Sequence, residues 1–170
     1  MKNNAKLLGA AILLTLMAFT TGQAALTVSS SAFMQNGMIP VKYSCQGAGF
    51  SPPLSVTNIP AGTKSLAIIV HDPDAPHPGG VTHWVAWNLP LNGVIPENYQ
   101  GGKQGMNSDK KTGYKAICPP DGTHRYTFKV YALDEVLMTD TTTDKPALEK
   151  AMKGHIVAHG ELTGFYGKSK

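Results

Sequence analysis

The chain has 170 residues, 42% hydrophobic and 15% charged, which suits one domain with a packed core and excludes a coiled coil or a disordered chain. Its 15 basic residues outnumber the 11 acidic ones but include a single arginine, so nucleic acid is not an expected partner. Two cysteines are too few for a Cys-rich zinc module.

The first 24 residues have the features of a secretory signal peptide. Lys2 and Lys6 give a positive start, residues 7–19 form an apolar run, and Gly22 and Ala24 are small residues suited to cleavage after Ala24. A transmembrane anchor is the alternative, but a helix needs about 20 apolar residues to cross a bilayer and this run has 13. We therefore expect a periplasmic domain of residues 25–170, without stable membrane insertion and with a net charge of 13 − 11 = +2.

Short apolar runs between Pro and Gly residues predict a mainly β domain. The predicted strands, in chain order, are Leu26–Val28, Met38–Tyr43, Leu54–Asn58, Ser65–Val70, His83–Leu89, Arg125–Leu133 and Ile156–Phe165. Ser65–Val70 is almost continuously apolar, which is typical of a strand buried on both faces. Residues 90–120 are rich in Gly, Lys and Asn and are predicted to be mostly loop.

One helix is predicted, over residues 145–153. Asp144 can cap it, Pro146 is tolerated in the first turn, and Gly154 can end it. Leu148 and Met152 lie four residues apart and give this helix one apolar stripe. The sequence therefore predicts a β-rich fold with a minor helix.

Cys45 and Cys118 are the two cysteines of the chain. In an exported protein an even pair usually forms a disulfide, which here would join positions 73 apart. The alternatives are two buried free thiols or a catalytic thiol, although no activating base is adjacent to either cysteine.

The period-two alternation of strands predicts which polar residues face inward. In the strand that starts near Arg125, the apolar face also carries His124 and Tyr126, because the opposite face holds the charges of Arg125 and Lys129. The same rule places His83 on one face with Val85 and Trp87. Trp84 then lies on the opposite face, so one tryptophan is buried under a second layer or lies at a dimer interface.

An acidic corner, His71-Asp72-Pro73-Asp74-Ala75-Pro76, follows the buried strand that ends at Val70. Proline fixes φ and makes the corner rigid. A carboxylate beside His83 or His124 would orient the imidazole and favour its protonated form. Asp-Pro-Asp is an ordinary turn sequence, but together with two inward histidines it predicts a pocket for an anionic group.

Several short motifs lie in order along residues 26–166. They are Ser51-Pro52-Pro53-Leu54, Asp72-Pro73-Asp74-Ala75-Pro76, His83 at the start of a strand, Gly102-Lys103-Gln104-Gly105, Cys118-Pro119-Pro120, His124-Arg125-Tyr126 and Tyr131-Ala132-Leu133-Asp134. This set resembles the phosphatidylethanolamine-binding protein family, and in particular its bacterial Raf kinase inhibitor-like branch. The exported start is most similar to the YbcL type within that branch.

The resemblance implies a sandwich of two antiparallel sheets with a few short helices and a small anion pocket. Matched residue by residue, the pocket positions are Asp72, Asp74, His83, His124 and Tyr126. The resemblance also implies a cis peptide at Ala75-Pro76, and it places Cys118 where animal members have a glycine whose N–H faces the ligand. A Cys45–Cys118 bridge would then brace the rim of the pocket.

The chain departs from animal members in segments that shape the pocket mouth. The loops 77–82 and 121–123 are shorter, and the chain ends soon after Tyr166, without the animal C-terminal extension. Lipid binding and kinase inhibition therefore carry over poorly, and the kinase-inhibitor name is taken as a family label.

Three functions compete at the level of sequence. The first is an exported, non-enzymatic protein that binds a small anionic or phosphorylated ligand and uses no cofactor or metal. The second is a hydrolase or metal-assisted enzyme built on the Asp/His cluster, although the sequence has neither a Gly-x-Ser-x-Gly elbow nor a His-Glu-x-x-His pair. The third is a partner-binding homodimer with a vestigial pocket, since bacterial relatives of this kind tend toward homodimers.

Overall fold

The computed structural model describes residues 24–168, which form a mainly β domain. The predicted signal peptide lies outside these residues, apart from Ala24. Within the described range there are ten strands, one α-helix (α1, Lys145–Met152) and one short 3₁₀ helix (Val41–Tyr43). The strands are β1 Ala24–Ala25, β2 Thr27–Ser29, β3 Gly37–Met38, β4 Leu54–Thr57, β5 Ser65–Asp72, β6 Val81–Leu89, β7 Val94–Ile95, β8 Lys103–Gln104, β9 Thr123–Leu133 and β10 Ile156–Gly167.

The strands form two sheets, which confirms the predicted fold class. The large sheet has the order β1-β10-β9-β5-β6-β8, with β3 also paired to β10, and the small sheet has the order β2-β4-β7. All the long strands pair antiparallel. The two-residue strands β1 and β3 each pair parallel to β10, which the sequence did not predict.

The large sheet is buried on both faces, which explains the apolar run in β5. On one face, Ile68, Trp84 and Phe128 pack in a cluster that includes side chains of the small sheet. On the other face, Trp87 packs in a second cluster with Leu148 of α1. Trp84 and Trp87 therefore lie on opposite faces of the sheet, as the alternation predicted. Both rings are fully buried.

Helix α1 forms as predicted, and it ends at Met152 rather than Lys153. The Asp144 side chain accepts a hydrogen bond from the Ala147 amide at 3.2 Å, which caps one of the amides that have no partner within the helix. Leu148 and Met152 are buried and attach the helix to the large sheet.

The predicted strand Met38–Tyr43 is wrong. Pairing with β10 ends after the Ile39 amide donates to the Phe165 carbonyl, because Pro40 has no N–H to continue the ladder. The chain then turns through the 3₁₀ helix Val41–Tyr43. The N-terminal prediction also needs correction, because residues around Leu26 form two short strands that belong to different sheets. The 90–120 loop contains β7 and β8.

A disulfide joins Cys45 and Cys118, with the two Cα atoms 5.4 Å apart, as predicted. A backbone hydrogen bond from Cys45 to the Ile117 carbonyl runs beside it. The bridge therefore fastens the segment after the 3₁₀ helix to the loop that leads into β9. None of the helices in residues 24–168 is long and apolar enough to cross a membrane.

Candidate functional site

The candidate site lies at one end of the large sheet, where three strands meet. The end of β5 pairs with the start of β6 (Asp72 with Val81) and with β9 (His71 with Thr127). Because these strands are antiparallel neighbours, Asp72, His83 and His124 come together although they are distant in sequence.

A cavity of about 200 Å³ opens at this end of the sheet. We refer to it as the β5–β6 cavity. It is lined by Asp72, Ala75, Pro76, His77, Val81, His83, Lys115, Cys118 and Pro120. Asp72, His83 and Cys118 were predicted from the sequence as ligand-binding residues, and the structure brings all three to this wall.

Asp72 is buried, and both of its carboxylate oxygens accept hydrogen bonds. Nδ1 of His124 donates to Oδ2 at 2.8 Å, so the proton of a neutral His124 is fixed on Nδ1. The other oxygen accepts hydrogen bonds from the amides of Asp74 and Ala75 at 2.9 and 3.0 Å. These contacts fix the negative charge of Asp72 at the cavity wall, with His124 directly behind it.

His83 reaches the cavity because of a β-bulge in β6. Val70 pairs with Trp84 and His71 pairs with Thr82, so His83 is the extra residue between them. The bulge interrupts the alternation, and the His83 ring packs against Tyr126, in the cluster that contains Trp84. The predicted placement of His83 on one face with Val85 and Trp87 is therefore wrong.

The His83 imidazole is a neutral hydrogen-bond acceptor toward the cavity. Its Nδ1 donates to the Lys115 carbonyl at 2.9 Å, which leaves Nε2 with the lone pair. Burial lowers the pKa of His83 to about 4, despite the opposing effects of this hydrogen bond and of the Asp72 charge. At neutral pH the ring therefore carries no positive charge.

Tyr126 supports His83 from behind. The two rings meet edge to face with centroids 5.3 Å apart. The Tyr126 hydroxyl is buried without a hydrogen bond of standard geometry, and it does not line the β5–β6 cavity. Burial, followed by the nearby charge of Asp72, raises the pKa of this hydroxyl above its usual value.

Asp74 does not line the cavity, unlike the other carboxylate of the acidic corner. Its Oδ2 accepts from the backbone amide and Nε of Arg125 at 2.8 and 3.0 Å, and its Oδ1 accepts from Nη2 at 2.7 Å. These hydrogen bonds lower the pKa of Asp74. Asp74 therefore fastens the corner to β9, and the structure gives it no direct contact with a ligand in this cavity.

The expected cis peptide at Ala75-Pro76 is wrong, because every peptide bond in residues 24–168 is trans. The corner is closed by other means. Asp72 caps the amides of Asp74 and Ala75, and the His77 amide donates to the Ala75 carbonyl at 2.8 Å. These bonds reverse the chain with a trans proline.

Sequence reasoning missed Lys115, which is one of the residues that line the cavity. The residue lies in an irregular loop, where no periodicity predicts the direction of a side chain. Its position three residues before Cys118 could have indicated a place near the cavity, because the disulfide fixes this loop at the rim of the cavity.

The residues that line the cavity include one lysine and several hydrogen-bond acceptors. Lys115 can donate a hydrogen bond to an anion, and Asp72 and Nε2 of His83 can accept hydrogen bonds from a protonated oxygen of the ligand. Within the described part of the chain, no group of three or more His, Cys, Asp or Glu side chains is placed to hold a metal ion.

Comparisons with known proteins agree with this architecture. Residues 29–167 match the family model for phosphatidylethanolamine-binding protein. A UPF0098 protein of Archaeoglobus fulgidus is 44% identical over 153 residues, which cover 85% of this chain, and the chain spans about half (52%) of that relative's length.

Two solved structures share the fold. The phosphatidylethanolamine-binding protein homolog CT736 from Chlamydia trachomatis is 45% identical, with a TM-score of 0.82, and the match covers 86% of this chain and 99% of CT736. YbcL of E. coli is 29% identical, with a TM-score of 0.79, and the match covers 86% of this chain and all (100%) of YbcL.

Proposed function

Because the chain belongs to the phosphatidylethanolamine-binding protein family, we propose that it is an exported, non-enzymatic protein that binds a small anionic or phosphorylated ligand in the β5–β6 cavity. The observation that carries the proposal is the convergence of Asp72, His83 and Lys115 on one wall. Drug-sized ligands usually occupy about 300–1,000 Å³, so this smaller cavity suits a phosphate or a compact phosphoryl headgroup.

The polar groups of the cavity favour an anion that also carries a proton. Lys115 supplies positive charge, whereas Asp72 and the neutral His83 offer only acceptors. A phosphate or phosphomonoester can bind the lysine and an acceptor at the same time. One of its oxygens accepts a hydrogen bond from the ammonium, and its P–OH group donates one to Asp72 or His83. Sulfate has no proton at neutral pH and would leave the acceptors facing its negative oxygens.

Export is supported by the sequence of residues 1–24 and by the disulfide. A Cys45–Cys118 bridge persists in an oxidising compartment such as the periplasm and is rare in the cytosol. We therefore propose that the mature protein is periplasmic.

A binding role is favoured over catalysis because most of the acid, base and nucleophile candidates are already engaged, and Nε2 of His83 is the one that keeps a free lone pair. His124 holds Asp72, Asp74 binds Arg125, and Cys118 is part of the disulfide. Metal analysis of protein purified without chelator, together with assays of a generic phosphoester, tests this point. Stoichiometric metal or turnover would favour the enzyme instead.

Calorimetric titration of residues 25–170 with inorganic phosphate at pH 7 tests the binding function. We expect binding in the millimolar range or tighter and a higher melting temperature with phosphate. We expect His83→Ala to weaken binding about tenfold, since it removes an acceptor from the wall. His159→Ala is the matched control, because His159 is exposed on β10 and does not line the cavity.

Sulfate is the second arm of the same experiment, and we expect it to bind much more weakly than phosphate. Equal binding of the two anions would contradict the need for a protonated oxygen. No heat and no rise in melting temperature at millimolar phosphate would contradict the binding function itself.

A further inference from the structure

The backbone of Lys115 is fastened to His83 by two hydrogen bonds. The Lys115 amide donates to the His83 carbonyl at 2.7 Å, and the Lys115 carbonyl accepts from the His83 ring at 2.9 Å. The root of the lysine side chain is therefore fixed at the wall of the β5–β6 cavity. Its four-carbon stem has several rotatable bonds, so the ammonium can in principle take up more than one position.

The Lys115 ammonium forms an ion pair with Asp109, away from Asp72. This pair is partly exposed, with 27% of the lysine side chain and 48% of the aspartate side chain accessible. Lys115 also lines two depressions beside the cavity, and Asp109 lines both of these but not the cavity. The ion pair thus lies at the boundary between the cavity and its surroundings.

Asp109 is held in place by a buried asparagine. Oδ1 of the Asn107 side chain accepts from the backbone amides of Asp109 and Lys111 at 2.9 and 3.3 Å, and Nδ2 donates to the Gly113 carbonyl at 3.1 Å. The backbone of Asp109 is therefore held in place beside Lys115. The pKa of Asp109 is lowered, chiefly by its hydrogen bond with Lys115.

The charges around the cavity make this pair consequential. Lys115 is the lining residue with a permanent positive charge, and Asp72 is a lining carboxylate. His83 is neutral at pH 7, and His77 is a second lining imidazole. While Lys115 contacts Asp109, its ammonium is paired with a carboxylate that does not line the cavity. An anion that enters the cavity must therefore compete with Asp109 for the ammonium.

We infer that Lys115 is the cation that determines anion affinity and that Asp109 is its built-in competitor, an inference that rests on the proposed binding function. In the free protein the ammonium stays on Asp109, and an incoming phosphoryl group draws it into the cavity. An exposed ion pair contributes only about 0.2–1 kcal/mol, so a bound phosphoryl oxygen can replace it.

Titration of residues 25–170 with inorganic phosphate at pH 7 tests this inference on four variants. We expect Asp109→Asn to bind phosphate about two- to fivefold more tightly than the wild type, because the competing exposed ion pair is gone. We expect Lys115→Met to bind about tenfold more weakly or worse, because a charge-assisted contact is lost. The double variant should bind as weakly as Lys115→Met.

Lys111→Met is the matched control. It removes the same charge from the same loop, but Lys111 is exposed and does not line the cavity. It should bind phosphate within about twofold of the wild type, because surface charges act weakly in salt.

The outcomes separate the inference from the proposed function. If the wild type binds phosphate but Asp109→Asn does not bind more tightly, or Lys115→Met binds like Lys111→Met, the inference is wrong and the binding function stands. If the ion pair only braces the loop, Asp109→Asn should lose binding and melting temperature together. If the wild type and Asp109→Asn are both folded and neither binds, the binding function itself fails.

Discussion

His83 is a buried histidine that folding keeps neutral. Its pKa is about 4 in the folded protein, whereas an unperturbed histidine titrates near about 6.5. Between these two values the unfolded chain binds a proton that the folded chain does not. The free energy of unfolding must therefore fall as the pH is lowered through this range.

We predict that the stabilisation linked to neutral His83 is fully present above about pH 6.5 and is lost as the pH approaches 4, with a total of about 3 kcal/mol. Urea unfolding at several pH values between 4 and 7, in buffer without phosphate, measures it. His83→Gln should be less stable at neutral pH but should show a shallower loss of stability toward acid. Equal pH slopes for the two proteins would contradict the assignment.

The face on which a strand residue of the site lies was predictable where the strand alternation is regular. Regular pairing of β9 placed His124 and Tyr126 on the buried face as expected. The bulge at His83 could not be read from the sequence, because it depends on how β6 pairs with β5. Asp74 and Lys115 were misjudged or missed because their side chains project from loops, where ion-pair partners determine their direction.

Gly160 marks the place where strand β10 is crossed closely by the N-terminal segment. A Cβ at this position would collide with the Leu26 backbone carbonyl. The Leu26 amide donates to the His159 carbonyl at 3.0 Å, so this backbone is held where it is. Glycine therefore allows the link between β1 and β2 to lie directly on β10.

We predict that Gly160→Ala destabilises the protein by about 1–3 kcal/mol, as expected for overpacking against backbone that cannot move aside. Gly164→Ala on the same strand is the matched control. The three atoms nearest to its Cβ would belong to the side chains of Phe33 and Ile39 and not to the backbone, so its cost should be smaller. Urea unfolding of both variants is the measurement, and a loss for Gly164→Ala as large as that for Gly160→Ala would contradict the argument.

Whole elements were more predictable than their pairing. The long strands and α1 were found because their apolar patterns span many residues, and Asp144 and Gly154 bracket the helix. The two-residue strands β1, β3, β7 and β8 carry no pattern of their own and exist through their neighbours. The largest error was the predicted strand Met38–Tyr43. Its strand pairing ends at Pro40, and a 3₁₀ helix follows.

At the scale of the whole molecule, the two faces of the large sheet pack against different elements. One face packs against α1 through Trp87 and Leu148. The other packs toward the small sheet, and the β5–β6 cavity lies at the end of the strands where His83 and Tyr126 meet. The loop that carries Lys115 and Cys118 closes this end without regular pairing to the sheet. Its position relative to β5 and β6 therefore depends on the disulfide and a few hydrogen bonds.

We predict that Cys45→Ala/Cys118→Ala lowers both stability and phosphate affinity. Cross-linking positions 73 apart restricts the unfolded chain by about 4 kcal/mol in the entropy model, so the double variant should unfold at lower urea. Binding should weaken as well, because Cys118 lines the cavity and its loop supplies Lys115. Dithiothreitol should produce both changes in the wild type and neither in the double variant. A double variant that loses stability but binds phosphate like the wild type would show that the bridge stabilises the fold without positioning the cavity wall.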